Sequence, residues 1–509
     1  MNDKYIFAFI LFFLIAFRLP AQYQMITEYN QDSTIRGEGF VTKEVPHQKE
    51  GQWRYYNKEG KLIQLGRFAD GKREGSWQEV GKNGTIILEI NYKKGISNGV
   101  VKQYYPGKGL KAVGGIYQDK RDGVWKEYYE SGKLKQTGAY NEGLKVGKWK
   151  TNYDVVGNLQ SESHYRNDTL NGEYKEYSSL YGLPLVVADY KMGKKHGTYK
   201  AYYESGQIKK AGVYQDDLEI GKWKEFYENG ELKGKKIYLN GKPMGKWTFY
   251  YPYSGIKKEI YFKRGLPDSL YVEYHPNQVK SVKGQYKNGN KTGIWYNFHE
   301  NGKIYTFGEY KNDYKTGNWK YFNEKGVLIA EGPFLDDLEH GQWFFYYENG
   351  GLKSLGHFEN GKENGLWGNF HENGLLKTEE TYKEGVLWSI KGYYSIYGDT
   401  LDIGTIRGGN GTVRSYFPNG SIKEEITYEN GKRKGLAKLY FEGSKLSAEG
   451  HYVNNKKEGY WKYYHKNGNI ESEGKYKNDE LSGIWIFYNK AGKRIEKVNY
   501  DLQKHKQKE

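Results

Sequence analysis

Cysteine is absent from all 509 residues. That excludes disulfide stapling, thiolate metal sites, a cysteine nucleophile and an N-terminal lipoprotein anchor. Proline is scarce, with 10 Pro against 67 Gly, so turns are built on glycine. Aliphatic residues are thin. Hydrophobic residues make up 37% of the chain, and 52 Tyr and 13 Trp stand against 4 Met. A chain of this length would ordinarily fold into roughly three or four compact domains, but this composition does not fill compact cores. Low aliphatic content with high charge is also a mark of disorder. Here the aromatics recur at fixed spacing, which argues for order.

Long apolar runs are missing too, with one exception. Tyr5–Phe17 is unbroken, behind the polar start Met1–Lys4 and ahead of Arg18-Leu19-Pro20-Ala21. It falls short of the about 20 residues that span a bilayer. The pattern predicts a secretory signal peptide over 1–21, cut before Gln22; the alternative is an uncleaved membrane anchor. Either way the remainder is expected to be exported, to a periplasm or a cell surface.

Negative charge is in deficit: the formal net charge is +17. Such a balance favours acidic partners, whether nucleic acid, anionic lipid headgroups or acidic polysaccharide. The Lys residues are spread along the chain without a long run, as on a solvated surface.

What the sequence has in abundance is a repeat. Gly51, Gly75, Gly99, Gly123 and Gly147 are spaced by 24 residues. The series continues at Gly172, Gly197, Gly221 and Gly245, then Gly293, Gly317, Gly341 and Gly365, then Gly411, Gly435, Gly459 and Gly483, with Ser269 in the one missing place. That makes eighteen units. Two residues after the lead Gly stands Trp in most units, as in Trp53, Trp125, Trp223, Trp319 and Trp461, and three further on a second aromatic, as in Tyr56, Tyr128 and Phe226. A third falls near the unit's end, as in Phe68, Tyr140, Tyr214 and Tyr310. Val124–Glu130 reads as a strand, Glu130-Ser131-Gly132 as a turn, and Lys133–Tyr140 as the return strand. Asn-Gly pairs such as Asn229-Gly230, Asn301-Gly302 and Asn360-Gly361 are strong hairpin signals, since both residues tolerate positive φ. The units therefore predict an all-β fold, an elongated antiparallel sheet of stacked hairpins, twisted or curled. A leucine-rich repeat lacks its Leu here, and a parallel β-helix would not need two tight turns per unit. The Trp and the aromatic three places later have opposite parity and face opposite sides of a regular strand; which side packs stays open.

The segments follow. Residues 22–50 read as an N-terminal cap, 51–385 and 411–500 as repeats, and 501–509 as a polar tail. Gly365 to Gly411 spans 46 residues, two short of two units, and 386–410 reads as an irregular or degenerate repeat, a hinge or an insertion. It holds Trp388, the one Trp outside the column.

GKWKEFYENGELKGKKIYLNGKPMG at Gly221–Gly245 resembles the MORN repeat, and more closely its bacterial variant, which occurs in proteins described as YwqK-type antitoxins. The resemblance runs over roughly residues 37–500 and rests on gap-free recurrent columns. It implies an antiparallel β-sheet, and scaffolding, membrane tethering or phospholipid contact as functions; the antitoxin label implies a toxin protein as partner. This chain is longer than a compact antitoxin and is expected to be exported. The hairpins also resemble choline-binding and glucan-binding repeats, where rings grip sugars or quaternary ammonium groups.

Catalytic residues in such an array would show as departures from the columns, and none stands out. Gly284-x4-Gly289-Asn290-Lys291-Thr292 approaches a P-loop, but Asn290 breaks the Gly-Lys step. His275, His299, His371 and His465 share one column usually held by Tyr. Adjacent members would lie roughly 10 Å apart, too far to share a zinc bound at about 2.0–2.1 Å. No enzyme, metal or cofactor is expected.

The candidate binding residues are the cations that follow the Trp column: Arg54, Lys102, Lys126, Lys150, Lys175, Lys200, Lys224 and Lys320. By parity they share a face with Tyr56, Tyr128 and Phe226, giving a basic–aromatic stripe; Trp388 is added as the stray ring. The expected function is that of an exported, non-enzymatic repeat scaffold for a protein partner or an envelope component. One alternative is a ligand-binding module for anionic polysaccharide, a choline-like group or a phospholipid headgroup. Another is an antitoxin-like partner of a toxin protein. Export disfavours nucleic acid, although the stripe would suit a single strand.

Overall fold

The computed structural model describes residues 22–502. The expected signal segment, 1–21, and residues 503–509 of the expected tail lie outside the described residues. The chain divides into two compact units, Met1–Lys242 and Pro243–Glu509.

In the first unit successive strands run antiparallel, Thr169–Leu170 and Gly172–Tyr177 together forming one interrupted strand beside Leu159–Arg166. The series starts with Tyr23–Tyr29 and Ile35–Thr42, so the segment before Glu50 is itself a hairpin, and it ends at Leu232–Leu239. Lys120–Tyr128, Leu134–Asn141 and Leu144–Asn152 show the pattern. The second unit repeats it from Gly245–Tyr251 to Val386–Tyr394; a separate eight-stranded sheet then runs from Gly411–Tyr416 to Arg494–Asn499. No unit closes into a barrel among the described residues: the pairing is strictly between neighbours in sequence.

The turns split into two kinds. Between hairpins, two central residues both take positive φ, as in Glu142-Gly143 (49° and 87°) and Asn360-Gly361 (51° and 75°), the geometry that matches strand twist. Within most hairpins only the glycine is left-handed, although Gln278 and Ser444 also take positive φ in theirs. Asn229 and Asn301 act there through their side chains, each Oδ1 accepting the N–H two residues on. The Asn-Gly signal therefore has two meanings in this chain.

One irregularity recurs where hairpins join. Leu65 pairs with Gln78 and Arg67 with Glu74, so Gly66 alone faces Gly75-Ser76-Trp77. This bulge drops the indole onto the glycine. A Cβ built on Gly66 would stand 2.2 Å from the Trp77 ring, and Gly138 beneath Trp149 and Gly308 beneath Trp319 are alike. Glycine serves here for space, at a backbone conformation open to any residue. The bulge also frees a carbonyl for the indole: Trp77 Nε1 donates to Arg67 O at 3.0 Å, Trp125 Nε1 to Gly115 O at 2.8 Å, and Trp461 Nε1 to His451 O at 3.1 Å. Burial without this partner would cost about 1–3 kcal/mol. The Trp column is buried throughout, with Trp53, Trp77, Trp223 and Trp461 at 0% exposure. The third aromatic column wedges edge-on between successive indoles, Tyr140 lying 6.1 Å from Trp125 and 5.0 Å from Trp149, the geometry aromatic rings prefer. The Trp face is thus the packed face.

Candidate interaction surfaces

Two charged columns border the rings. The packed face carries one that the sequence reading passed over. Four residues before the Trp stands Lys or Arg in many units, and its cation sits over the indole: Lys49 over Trp53 at 4.0 Å, Arg73 over Trp77 at 4.4 Å, Arg121 over Trp125 at 4.2 Å, Lys315 over Trp319 at 4.6 Å. Each such contact contributes about 0.5–2 kcal/mol, more when desolvated. The near-P-loop Lys291 is one of them, 4.8 Å over Trp295, and its own N–H donates to Asp313. Those ring faces therefore already hold a cation of the chain itself, so an external quaternary ammonium would have to displace it.

The opposite face carries the expected stripe, and much of it is paired. Arg54 reaches Glu38 at 3.8 Å, Lys102 reaches Glu89 at 3.7 Å, Lys150 reaches Glu162 at 3.5 Å, Lys175 reaches Glu173 at 2.8 Å and Lys320 reaches Glu331 at 3.0 Å. The second aromatic column joins the same acids: Tyr56 O–H donates to Glu38 at 2.6 Å, Tyr104 to Glu89 at 3.0 Å and Tyr346 to Glu331 at 2.8 Å. Burial opposes ionisation of Glu162, yet Lys148, Tyr177 and Lys150 hold it below the usual carboxylate range. Burial first, then the Glu331 carboxylate, pushes Tyr346 up to about 12. Lys126, Lys200 and Lys224 are exposed and have no acidic partner among the described residues. Tyr128 and Phe226 lend their carbonyls, which accept the hydroxyls of Tyr105 and Tyr203.

That last bond is one rung of a ladder in which the His column takes part. His275 Nε2 faces Phe298 O at 2.9 Å, His299 faces Phe322 O at 3.0 Å, and His371 and His465 do likewise. The imidazole does the work of the Tyr hydroxyl. Among the described residues no group of His, Asp and Glu is arranged to hold a metal ion.

Apolar side chains remain on the face opposite the Trp rings, at the position after the lead Gly. Val100 and Val124 are 51% and 63% exposed in the first unit; Leu436, Tyr460 and Ile484 are 42%, 58% and 45% exposed in the second.

Trp388 lies apart from the stripe. The place of the spacer glycine is taken by Glu380, which accepts from Thr378 and Tyr382. Two smaller register shifts replace the usual one. Ile390 fills the inner position at 6% exposure, and Trp388 turns out to the surface at 38%. The return strand shrinks to Thr400–Leu401. Trp388, Ser389, Ile390, Lys391 and the stretch Ile403–Gly408 line a cavity of about 690 Å³.

Hairpins stacked by such ladders, with their rings and charges turned on one another, define a β-hairpin repeat scaffold. Eight of its repeats belong to the MORN repeat variant family, whose profile matches residues 121–142, 195–216, 219–240, 291–312, 315–336, 339–360, 410–430 and 457–478. No curated protein matches the chain in sequence. Among solved structures, a chain of a TcdB2-TccC3-Cdc42 complex is 11% identical at a TM-score of 0.13, with 94% of this chain and 31% of that chain covered. A chain of a Photorhabdus luminescens Tc holotoxin pore is 12% identical at a TM-score of 0.12, with 95% and 31% covered. The present chain thus spans about a third of those chains, and superpositions this loose bear on neither fold nor function here.

Proposed function

We propose that the chain is an exported, non-enzymatic scaffold that binds a protein partner through the face opposite its Trp columns. The observation that carries the reading is the row of exposed apolar side chains on that face, Leu436, Tyr460 and Ile484 in successive hairpins, and Val100 and Val124 likewise. Water-exposed apolar rows beside polar clusters mark protein contact sites. The apolar run Tyr5–Phe17 supports export. An antitoxin-like role is a special case in which the partner is a toxin protein.

The second reading is an envelope ligand module, and the unpaired Lys126, Lys200 and Lys224 favour it for anionic polysaccharide or phospholipid headgroups. The two differ in salt response. The test is retention of envelope proteins, polysaccharide and lipid by the immobilised full chain at low and high salt. The scaffold reading expects a protein that persists at high salt and is lost with Tyr460→Ser plus Ile484→Ser. Retention of polysaccharide or lipid alone, released by salt, would establish the second reading instead. Retention of nothing at either salt would end both.

A further inference from the structure

Strands inside this array are normally bonded along both edges. Lys362–Phe370 has Leu352–Glu359 on one side and Leu376–Lys383 on the other. Val386–Tyr394 departs from that rule. Leu376–Lys383 holds its first edge, but on its second edge only Tyr393 and Tyr394 are paired, with Leu401 and Thr400. The chain then leaves the sheet and returns to the strand at Gly409, whose N–H donates to Trp388 O at 2.7 Å. Between those two anchor points Ser389–Gly392 has no strand partner on this edge among the described residues, and the 690 Å³ cavity lies between it and Ile403–Gly408.

The slot has a distinct chemistry. Lys391 and Arg407 line it, and Lys383 Nζ stands 5.1 Å from the Trp388 ring. None of the three has a carboxylate partner among the described residues, and no Asp or Glu lines the cavity. This contrasts with Lys320 and its neighbours, whose acids sit across the ladder. Apolar surface is supplied by Trp388, 38% exposed; Ile390 and Ile406 also line the cavity but are buried.

An open strand edge offers a row of backbone donors and acceptors that another extended backbone satisfies. A sugar or lipid headgroup would meet the cations and leave that edge unpaired. We propose that the slot takes an extended acidic peptide segment of a partner protein, added as a strand along Ser389–Gly392. Its carboxylates lie toward Lys383, Lys391 and Arg407, and an apolar side chain rests on Trp388. The inference deepens the scaffold reading by naming a partner chemistry, and it rests on that reading.

A random-peptide display library panned on the full chain, and counter-selected on the folded double variant Lys391→Glu plus Arg407→Glu, tests it. Enrichment of acidic sequences with alternating apolar residues is expected. A selected peptide should lose about tenfold or more in affinity, the effect of one anchor contact, with Trp388→Ala. It should lose a similar factor when alternate backbone amides are N-methylated, and it should slow hydrogen exchange at Ser389–Gly392. The proposal is overturned by selection of nothing that the double variant rejects, by binding that survives N-methylation, or by complete displacement with an oligouronate of equal charge. Should the slot fail while the double variant still retains a protein partner at high salt, the scaffold reading stands and only this inference falls.

Discussion

Gly308 lies directly beneath the indole of Trp319, where an added Cβ would stand 2.2 Å from Cδ2. Gly308→Ala is expected to destabilise the hairpins on either side by about 1–3 kcal/mol, the usual cost of overpacking. Because stability in stacked repeats is local, the check is hydrogen exchange. Amides of Ile304–Lys311 and Tyr314–Phe322 should exchange faster, with little change several hairpins away.

His299 and the tyrosines of its column do the same job. His299→Tyr should leave stability near wild type, since a hydroxyl reaches the same carbonyl, as Tyr347 does at Phe370 O at 2.8 Å. His299→Leu should cost about 0.5–1.5 kcal/mol through loss of the bond to Phe322 O. Urea denaturation of the pair measures the difference, and equal midpoints would refute the ladder.

Alkali should unfold the array steeply. Burial first pushes Tyr214, Tyr321, Tyr346 and Tyr464 up to about 12, whereas an unfolded Tyr ionises near 10. A raised folded value means the contribution is whole below pH about 10 and lost as pH climbs through about 12. Tyrosinate absorbance and the β-sheet circular dichroism signal should therefore change together. A gradual titration centred on 10 with the sheet intact would contradict the burial.

Acid acts on a different set. The Ser97 hydroxyl and N–H hold Asp119 below its usual value, and Glu162 is lowered by its lysines and Tyr177 despite burial. Lowered folded values give stability that is present above the ordinary carboxylate range near 4 and lost as pH falls through the folded values. Exchange of the Ser97 amide, which donates to Asp119 at 2.9 Å, should quicken on acidification below pH about 4 and be pH-insensitive, beyond intrinsic exchange, in Asp119→Asn.

The period, the hairpins and the two-sided placement of rings were legible in the sequence, because each rests on spacing within one unit. Trp53 is buried on the packed face while Tyr56 donates to Glu38, beside Arg54, on the other, as their parity requires. The choice of packed face was not legible. It depends on Gly114, eleven residues before Trp125 on the preceding strand, and on a bulge that only the pairing reveals. The two basic columns look alike in the sequence. Register alone puts Arg121 over a ring and sets Lys102 against Glu89. Trp388 was visible as an orphan, but the open edge beside it is set by where the chain leaves and rejoins the sheet, at Tyr394 and Gly409, which only the pairing reveals.

Most of the rungs that tie hairpin to hairpin join residues 22 to 24 apart, from Lys315 N with Asp337 to His299 with Phe322 O. An insertion of one or two residues would throw several rungs out of step at once. Gaining or losing a whole unit would break none of them. Duplication and deletion of whole units would therefore lengthen or shorten such a protein one hairpin at a time without putting the remaining rungs out of step. At 386–410 two residues are missing from the count, and there the sheet stops and a new one begins.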